Sequence, residues 1–325
     1  MENTCRRTPV KPKVMPFQLK LKQQPQRNPM FALSAVCICL VLLQSAQCQQ
    51  DTPKTGTVQS VAVAHSDTLP YDLENPSLTI NLVSESLQEI SGLSPTEEPG
   101  VFLAIADERG EVFFIDGSGG GAIYTRVLFR DKGDFEGVEK VDKKIYALKS
   151  NGDVYEISKW KNGNPDVQVY DTPLRKEDDL EGLGYDPVRK SLLLACKGDP
   201  ERDTLRGIFA FSLDKKELSA APVYTINPLE VNQLVPYNSE DKKRFFSPSG
   251  VAVHPKTQDI YITSTALKRL VVLDHTTGKI QYAVRLDKQL LPQPEGISFD
   301  PEGNLYLSSE GKKGEGMLLK FNYRP

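Results

Sequence analysis

Asp179-Leu180-Glu181-Gly182-Leu183-Gly184-Tyr185-Asp186-Pro187 leads, past a short turn, into the run Ser191-Leu192-Leu193-Leu194-Ala195. Its central phrase recurs along the chain. Ser91-Gly92-Leu93, Glu136-Gly137-Val138, Ser249-Gly250-Val251 and Glu295-Gly296-Ile297 all read acid or serine, glycine, aliphatic. The glycines stand about 45 residues apart, with one longer step between Gly182 and Gly250. A repeat of roughly 40–50 residues with strand-like content is the signature of a β-propeller.

The residues after each glycine support the repeat. Three copies run into proline turns at Asp186-Pro187, His254-Pro255 and Asp300-Pro301. Next come β-rich runs such as Lys144-Ile145-Tyr146-Ala147-Leu148, Asp259-Ile260-Tyr261-Ile262-Thr263 and Asn304-Leu305-Tyr306-Leu307-Ser308. A polar turn and a third run come after these, as in Val112-Phe113-Phe114-Ile115 and Leu270-Val271-Val272-Leu273. Short runs of Val, Ile, Tyr and Phe between Gly, Asp, Asn and Pro clusters read as strands. The chain is therefore expected to be all-β over residues 78–325, a propeller of five blades. The last copy ends after its third strand, near Phe321. Leu78-Thr79-Ile80-Asn81-Leu82-Val83 is placed to close the ring by supplying the fourth, which removes an exposed sheet edge. The longer step is read as a surface loop over residues 227–246; a sixth blade hidden there is the alternative.

Residues 1–28 hold Arg6, Arg7, Lys11, Lys13, Lys20, Lys22 and Arg27 against one acid, Glu2. An apolar run from Met30 to Leu43 and the small-polar stretch Gln44-Ser45-Ala46-Gln47-Cys48 complete a signal-peptide pattern. The run is shorter than the roughly 20 apolar residues of a spanning helix. Residues 1–48 are thus expected to be a signal peptide. An uncleaved N-terminal membrane anchor is the rival, lipidation at Cys48 a further alternative, and Met15 a second candidate start. Residues 49–77, rich in Thr, Ser, Gln and Asp, read as a flexible linker. This places the protein outside the cytoplasm, in the periplasm or cell envelope, with membrane association through its N-terminus. Beyond the leader only Cys196 remains, which suits a buried small hydrophobe and conflicts with no redox compartment. A net charge of −3, borne with a basic leader, argues against a nucleic-acid partner.

In a propeller the first strand of each blade lines the central channel. Glu136, Glu181 and Glu295 then converge on one end of it, with Ser91 and Ser249 in the same place on the other two blades. Three such carboxylates raise one another's pKa unless something positive sits among them. Calcium, held by carboxylate and carbonyl oxygens, is one candidate, with Glu136, Glu181 and Glu295 as its ligands. Lys149 and Lys197, at the ends of second strands, are the other; Asp107 and Glu310 hold the same position in blades one and five. A purely structural use of the phrase is the alternative, each Glu capping backbone N–H groups of a neighbouring blade. None of His65, His254 and His275 is placed as a general base at this mouth. Gly117-Ser118-Gly119-Gly120-Gly121 lies between strands and reads as a turn, not a phosphate loop.

The ordered set Glu89-Ile90-Ser91-Gly92-Leu93, Asp134-Phe135-Glu136-Gly137-Val138, Asp179-Leu180-Glu181-Gly182-Leu183, Ser247-Pro248-Ser249-Gly250-Val251 and Pro294-Glu295-Gly296-Ile297 resembles the SdiA-regulated family of bacterial envelope proteins. The resemblance covers nearly the whole chain after residue 78. It implies a β-propeller and export or membrane association, and no particular activity. More distantly the chain is similar to the gluconolactonase and regucalcin group. That likeness implies a divalent-metal ligand at the Glu-Gly strand, matched by Glu136, Glu181 and Glu295. The group's channel asparagines have no counterpart, since Asn151 and Asn304 fall in turns. Two functional classes stay open. One is an envelope module that binds a small ligand or a partner protein. The other is a metal-dependent hydrolase of lactones, esters or phosphoesters.

Overall fold

The computed structural model describes residues 69–239, 241–311 and 314–325. The expected leader with Cys48, His65 and residues 49–68 of the expected linker lie outside them. Strand β1 (Leu78–Leu82) precedes five sheets. Blade 1 is β2 (Ile90–Pro95), β3 (Val101–Ala106), β4 (Gly110–Asp116) and β5 (Ile123–Arg130). Blade 2 is β6 (Phe135–Val141), β7 (Lys144–Lys149), β8 (Val154–Ser158) and β9 (Asp166–Tyr170). Blade 3 is β10 (Leu180–Asp186), β11 (Ser191–Cys196), β12 (Arg206–Ser212) and a split outer strand, β13 (Glu217–Leu218) and β14 (Tyr224–Ile226). Blade 4 is β15 (Gly250–Val253), β16 (Ile260–Ser264), β17 (Arg269–Leu273) and β18 (Ile280–Arg285). Blade 5 is β19 (Pro294–Phe299), β20 (Leu305–Ser309) and β21 (Gly316–Phe321), completed by β1.

The closing strand is the expected one. β1 runs antiparallel to β21, with Leu78 opposite Lys320 and Leu82 opposite Gly316. Main-chain pairing between the two ends of the chain joins the ring and covers the outer edge of β21, giving blade 5 its fourth strand. Each blade is apolar on both faces of its middle strands because it is sandwiched between two others. β16, for example, is buried throughout. Five hydrophobic clusters fill the gaps between neighbouring blades. β9, on the rim, is mostly exposed.

Two expectations need correction. The stretch after blade 3 is not only loop: it opens with a short helix, α1 (Pro228–Leu234). Asn227 caps it, its side chain accepting from the Leu229 N–H, and Pro228 stands in the first turn, where no N–H is missed. The signal was in the sequence, since Asn-Pro before an apolar residue is a helix start. Val231 and Phe246 anchor this insertion in the core between blades 3 and 4. Nor does the packed chain begin at residue 78. Leu69 and Tyr71 are buried against blades 4 and 5. The Tyr71 hydroxyl donates to the Gly303 carbonyl at 2.7 Å, and the Arg324 N–H donates to the Pro70 carbonyl at 2.8 Å. Residues 69–77 are therefore a strap, held by aromatic packing that its polar surroundings in sequence conceal. Among the described residues no helix is long and apolar enough to cross a membrane.

Candidate functional site

The repeated phrase sits at the start of each inner strand, and in four blades it lies in a β-bulge. Ile90 pairs with Ala106 and Gly92 with Ile105, which leaves Ser91 as the extra residue. Phe135 and Gly137 pair with Lys149 and Leu148, leaving Glu136. Leu180 and Gly182 do the same with Cys196 and Ala195, leaving Glu181. In blade 5 the shift falls between Pro294 and Ile297, over Glu295 and Gly296. Blade 4 shows no such shift. A bulge bends its strand and re-aims a side chain. Here it turns the acid or serine toward the mouth of the channel.

The glycines do a different job. A Cβ on Gly92 would lie 2.8 Å from the Gly137 Cα, and one on Gly137 would lie 2.4 Å from the Leu183 Cβ. The series continues from Gly182 to Val251 N at 3.1 Å, from Gly250 to Glu295 O at 2.3 Å, and from Gly296 back to Leu93 Cβ at 2.9 Å. Each glycine thus faces the inner strand of the next blade, and the fifth returns to the first. Only a residue without a Cβ lets five strands meet this closely.

Among the described residues no hydrogen bond to Glu136, Glu181 or Glu295 from backbone of a neighbouring blade is seen, of the kind the structural alternative expects. Glu181 Oε1 accepts from Lys197 Nζ at 2.7 Å, and Glu295 Oε1 accepts from the Thr265 hydroxyl at 2.9 Å. Glu136 lies against Asp134. Ser249 bonds a neighbouring blade, donating to the Pro294 carbonyl at 2.7 Å, as Glu295 does through Thr265 of blade 4; Ser91 turns back to the Glu89 carbonyl at 3.2 Å. Of the two expected lysines, Lys197 joins the acids and also lies 3.9 Å from Asp179. No ion pair from Lys149 to Glu136, Glu181 or Glu295 is seen among the described residues. Glu310 accepts from the Gln293 amide. Asp107 keeps one buried carboxylate oxygen, Oδ1, without a hydrogen-bond partner.

The electrostatics follow from too many acids for one ammonium. Burial, then the charges of Glu181 and Asp134, push Glu136 up to about 9. Burial, then Asp107 and Glu89, push Glu310 up to about 7. Glu295 is raised well above the usual carboxylate range by burial, Glu181 and Glu310, against the pull of Thr265. Burial raises Glu181 too, and Lys197 takes back part of that rise. Asp107 is raised by burial and by Glu89 and Glu108. Burial works against the Lys197 ammonium, but Glu181, Asp179 and Glu295 overcome it, so Lys197 stays firmly charged. The carboxyls share one electrostatic neighbourhood without forming a ligand cage. Among the described residues no group of three His, Cys, Asp or Glu side chains is arranged to hold a metal ion. Glu136, Glu181 and Glu295 are therefore brought to one mouth, but not drawn together as a set of ligands.

Thr265 and Gln293 belong to this mouth and were not expected there. Thr265 had a readable signal, since it comes after β16 as Asp107, Lys149, Lys197 and Glu310 end or come after their second strands. His254 sits elsewhere, fully buried among Tyr71, Tyr261, Phe299 and Tyr323. Burial lowers its pKa to about 4. His275 lies between blades 3 and 4, its Nε2 3.0 Å from Asp186 Oδ2. Cys196 is half-buried, and burial pushes its thiol up to about 12, which disfavours the thiolate.

Fold and site together define a five-bladed β-propeller with an acidic channel mouth. The chain belongs to the SdiA-regulated family, whose model matches residues 72–313. Among solved structures, the glutaminyl cyclase of Myxococcus xanthus is 12% identical, with 77% of this chain and 99% of that one covered at a TM-score of 0.51. Regucalcin, a calcium-binding protein of Agrobacterium tumefaciens, is 11% identical, with 75% and 96% covered at 0.46. The PQQ-bound aldose sugar dehydrogenase of Streptomyces coelicolor is 13% identical, with 74% and 96% covered at 0.46. The first bears on the fold alone, and the other two carry no argument. A search of curated proteins finds no match.

Proposed function

We propose that this protein is an exported cell-envelope binding module whose acidic channel mouth receives a cation. The cation is carried by a small ligand or by an envelope protein, or is calcium itself. One observation carries the reading. Glu136, Glu295 and Glu310 are held above the usual carboxylate range around one charged lysine, Lys197. A cation entering the mouth relieves their mutual repulsion, so binding is coupled to loss of their protons. The donor set is all oxygen, which suits a hard cation. Glu136, Glu181 and Glu295 must turn toward one another to share it. The hydrolase alternative gains no support from the described histidines, both of which lie away from the mouth.

Calorimetric titration with calcium tests the reading. Saturable binding is expected, tightening between about pH 6 and pH 9 as Glu310 and Glu136 give up their protons. Replacing Glu136 and Glu181 together with glutamine should weaken it at least about tenfold. Unchanged affinity in that double variant places the cation elsewhere.

Export rests on the basic, apolar and small-polar order of residues 1–48. N-terminal sequencing of protein recovered from the envelope should begin just after the Ala46–Cys48 zone. A chain still starting at Met1 or Met15 overturns the cleaved-signal reading and supports an anchor.

A further inference from the structure

Lys197 brings a positive charge into the acidic mouth, and it does so from a fixed base. Its main-chain N–H donates to the Asp179 carbonyl at 2.7 Å, and its carbonyl accepts from the Ser247 hydroxyl at 2.7 Å. The main chain is thereby tied on one side to the residues that lead into β10 and on the other to those that lead into β15. Any movement of the residue belongs to its side chain, a flexible four-carbon stem that ends in three rotatable donors.

Two carboxylates lie within reach of that ammonium. Glu181 Oε1 is 2.7 Å from Nζ, and Asp179 Oδ2 is 3.9 Å from it. The two differ in setting. The Glu181 side chain is 13% exposed and faces the mouth, whereas the Asp179 side chain is 45% exposed and stands just before β10. A sheltered carboxylate gains more from an ammonium than an exposed one does, because water screens it less. As long as no other cation is near, the inner partner therefore wins, which is the arrangement seen. A second cation in the mouth reverses the order. It takes over the charge of Glu181 and repels the ammonium, and the exposed carboxylate is then the better partner for Lys197.

From this geometry we infer that Lys197 is a tethered competitor that gates the mouth. It holds Glu181 until a cation enters, then turns to Asp179 and leaves Glu181 to the newcomer. The inference rests on the cation-binding reading of the mouth and adds its regulation. It also supplies a step that reading needs, since Glu181 can turn toward Glu136 and Glu295 only after Lys197 lets go. The apparent affinity of the mouth is then its intrinsic affinity reduced by the fraction of molecules in which Lys197 has turned away. Asp179 sets that fraction.

The test is a double-mutant cycle, with calcium titrated calorimetrically into the full chain. Lys197→Gln should bind calcium at least about tenfold more tightly than wild type. Asp179→Asn removes the outer partner and keeps a residue that tolerates the left-handed backbone at this position, where φ is 51°. It should weaken binding about threefold in the wild-type background and change nothing beside Lys197→Gln. Equal effects of Asp179→Asn in both backgrounds mean that Asp179 acts on the cation through space. That result, or affinity no tighter in Lys197→Gln, overturns the gate and leaves the mouth reading standing. Binding by none of the four proteins overturns both. A second measurement uses the unaltered chain and so does not depend on how the variants fold. Acetylation by acetic anhydride at constant ionic strength, read by mass spectrometry, should modify Lys197 about twofold faster or more when calcium is added. A rate that stays level or falls, under calcium that binds, overturns the gate.

Discussion

Gly250→Ala is expected to cost about 3 kcal/mol of stability and to lower the melting temperature by roughly 10 °C. The added Cβ would lie 2.3 Å from the Glu295 carbonyl oxygen, 2.9 Å from Thr263 Oγ1 and 3.1 Å from Ile297 Cγ2. The nearest of these atoms is backbone of the next blade, so no side-chain rotation relieves the clash. Either β15 or β19 must shift. Neither moves alone, because every inner strand touches two others and the ring is closed by β1. A shift of β19 also displaces Glu295, so the acidic mouth is disturbed together with the fold. Gly119→Ala is the matched control. Nothing lies within 4 Å of the Cβ it would add, and its effect should stay within about 0.5 kcal/mol. Thermal unfolding followed by circular dichroism decides the matter. If the two variants melt together, the close approach of the inner strands is not what the glycine phrase serves.

In a propeller the sequence speaks through repetition. The glycines were readable because five copies answer one steric demand, and repetition lifts them above background. The closing strand was readable because the last blade visibly lacks one. The direction of the acids was readable only in part. The bulge that re-aims Ser91, Glu136 and Glu181 depends on a one-residue offset between paired strands, and register has no single-residue signature. Lys149 pairs with Phe135 as Cys196 pairs with Leu180, so the residue that matches Lys197 is Ser150, and a one-residue offset puts the Lys149 side chain on the other side of its strand. Arg206 and Arg269 open strands β12 and β17 and look solvated in sequence. Their burial results from the insertion folding over them, a long-range event that local pattern does not encode. Glu139 escaped for a further reason. Its repeat position holds Ser94, Glu139, Gly184, Ala252 and Ser298, and Glu139 is the one acid among them.

Glu139→Gln is expected to stabilise the protein at neutral pH. Glu139 lies on β6, 7% exposed, with its Oε2 accepting from the Ser94 hydroxyl at 2.9 Å and a further bond from the Tyr185 N–H. Among the described residues no cation faces it: Lys140, its neighbour, turns to Glu97 and the Asp142 carbonyl. Burial therefore dominates and pushes its carboxyl up to about 8, against the pull of Ser94, Tyr185 and Lys140 N–H. The ordinary value, 4.5, applies to the unfolded chain. Below that value both states carry the proton and the group is neutral to folding. Between 4.5 and about 8 the unfolded chain ionises while the folded chain holds its proton, so stability falls as pH rises. At pH 7 the loss is on the order of 3 kcal/mol. Glutamine keeps the shape and removes the titration. Its oxygen can accept from the Tyr185 N–H and its amide can donate to Ser94 Oγ, which already accepts from the Lys140 N–H and can turn its own proton toward the Pro95 carbonyl at 3.4 Å. Glu136 and Glu310 titrate with the same sign, so both proteins lose stability toward alkaline pH. The difference between them isolates Glu139. Urea unfolding of wild type and variant at a series of pH values should give curves that coincide near pH 4 and diverge through pH 8, the variant above. Parallel curves would mean that Glu139 is ionised in the folded state, and that its hydrogen bonds outweigh its burial.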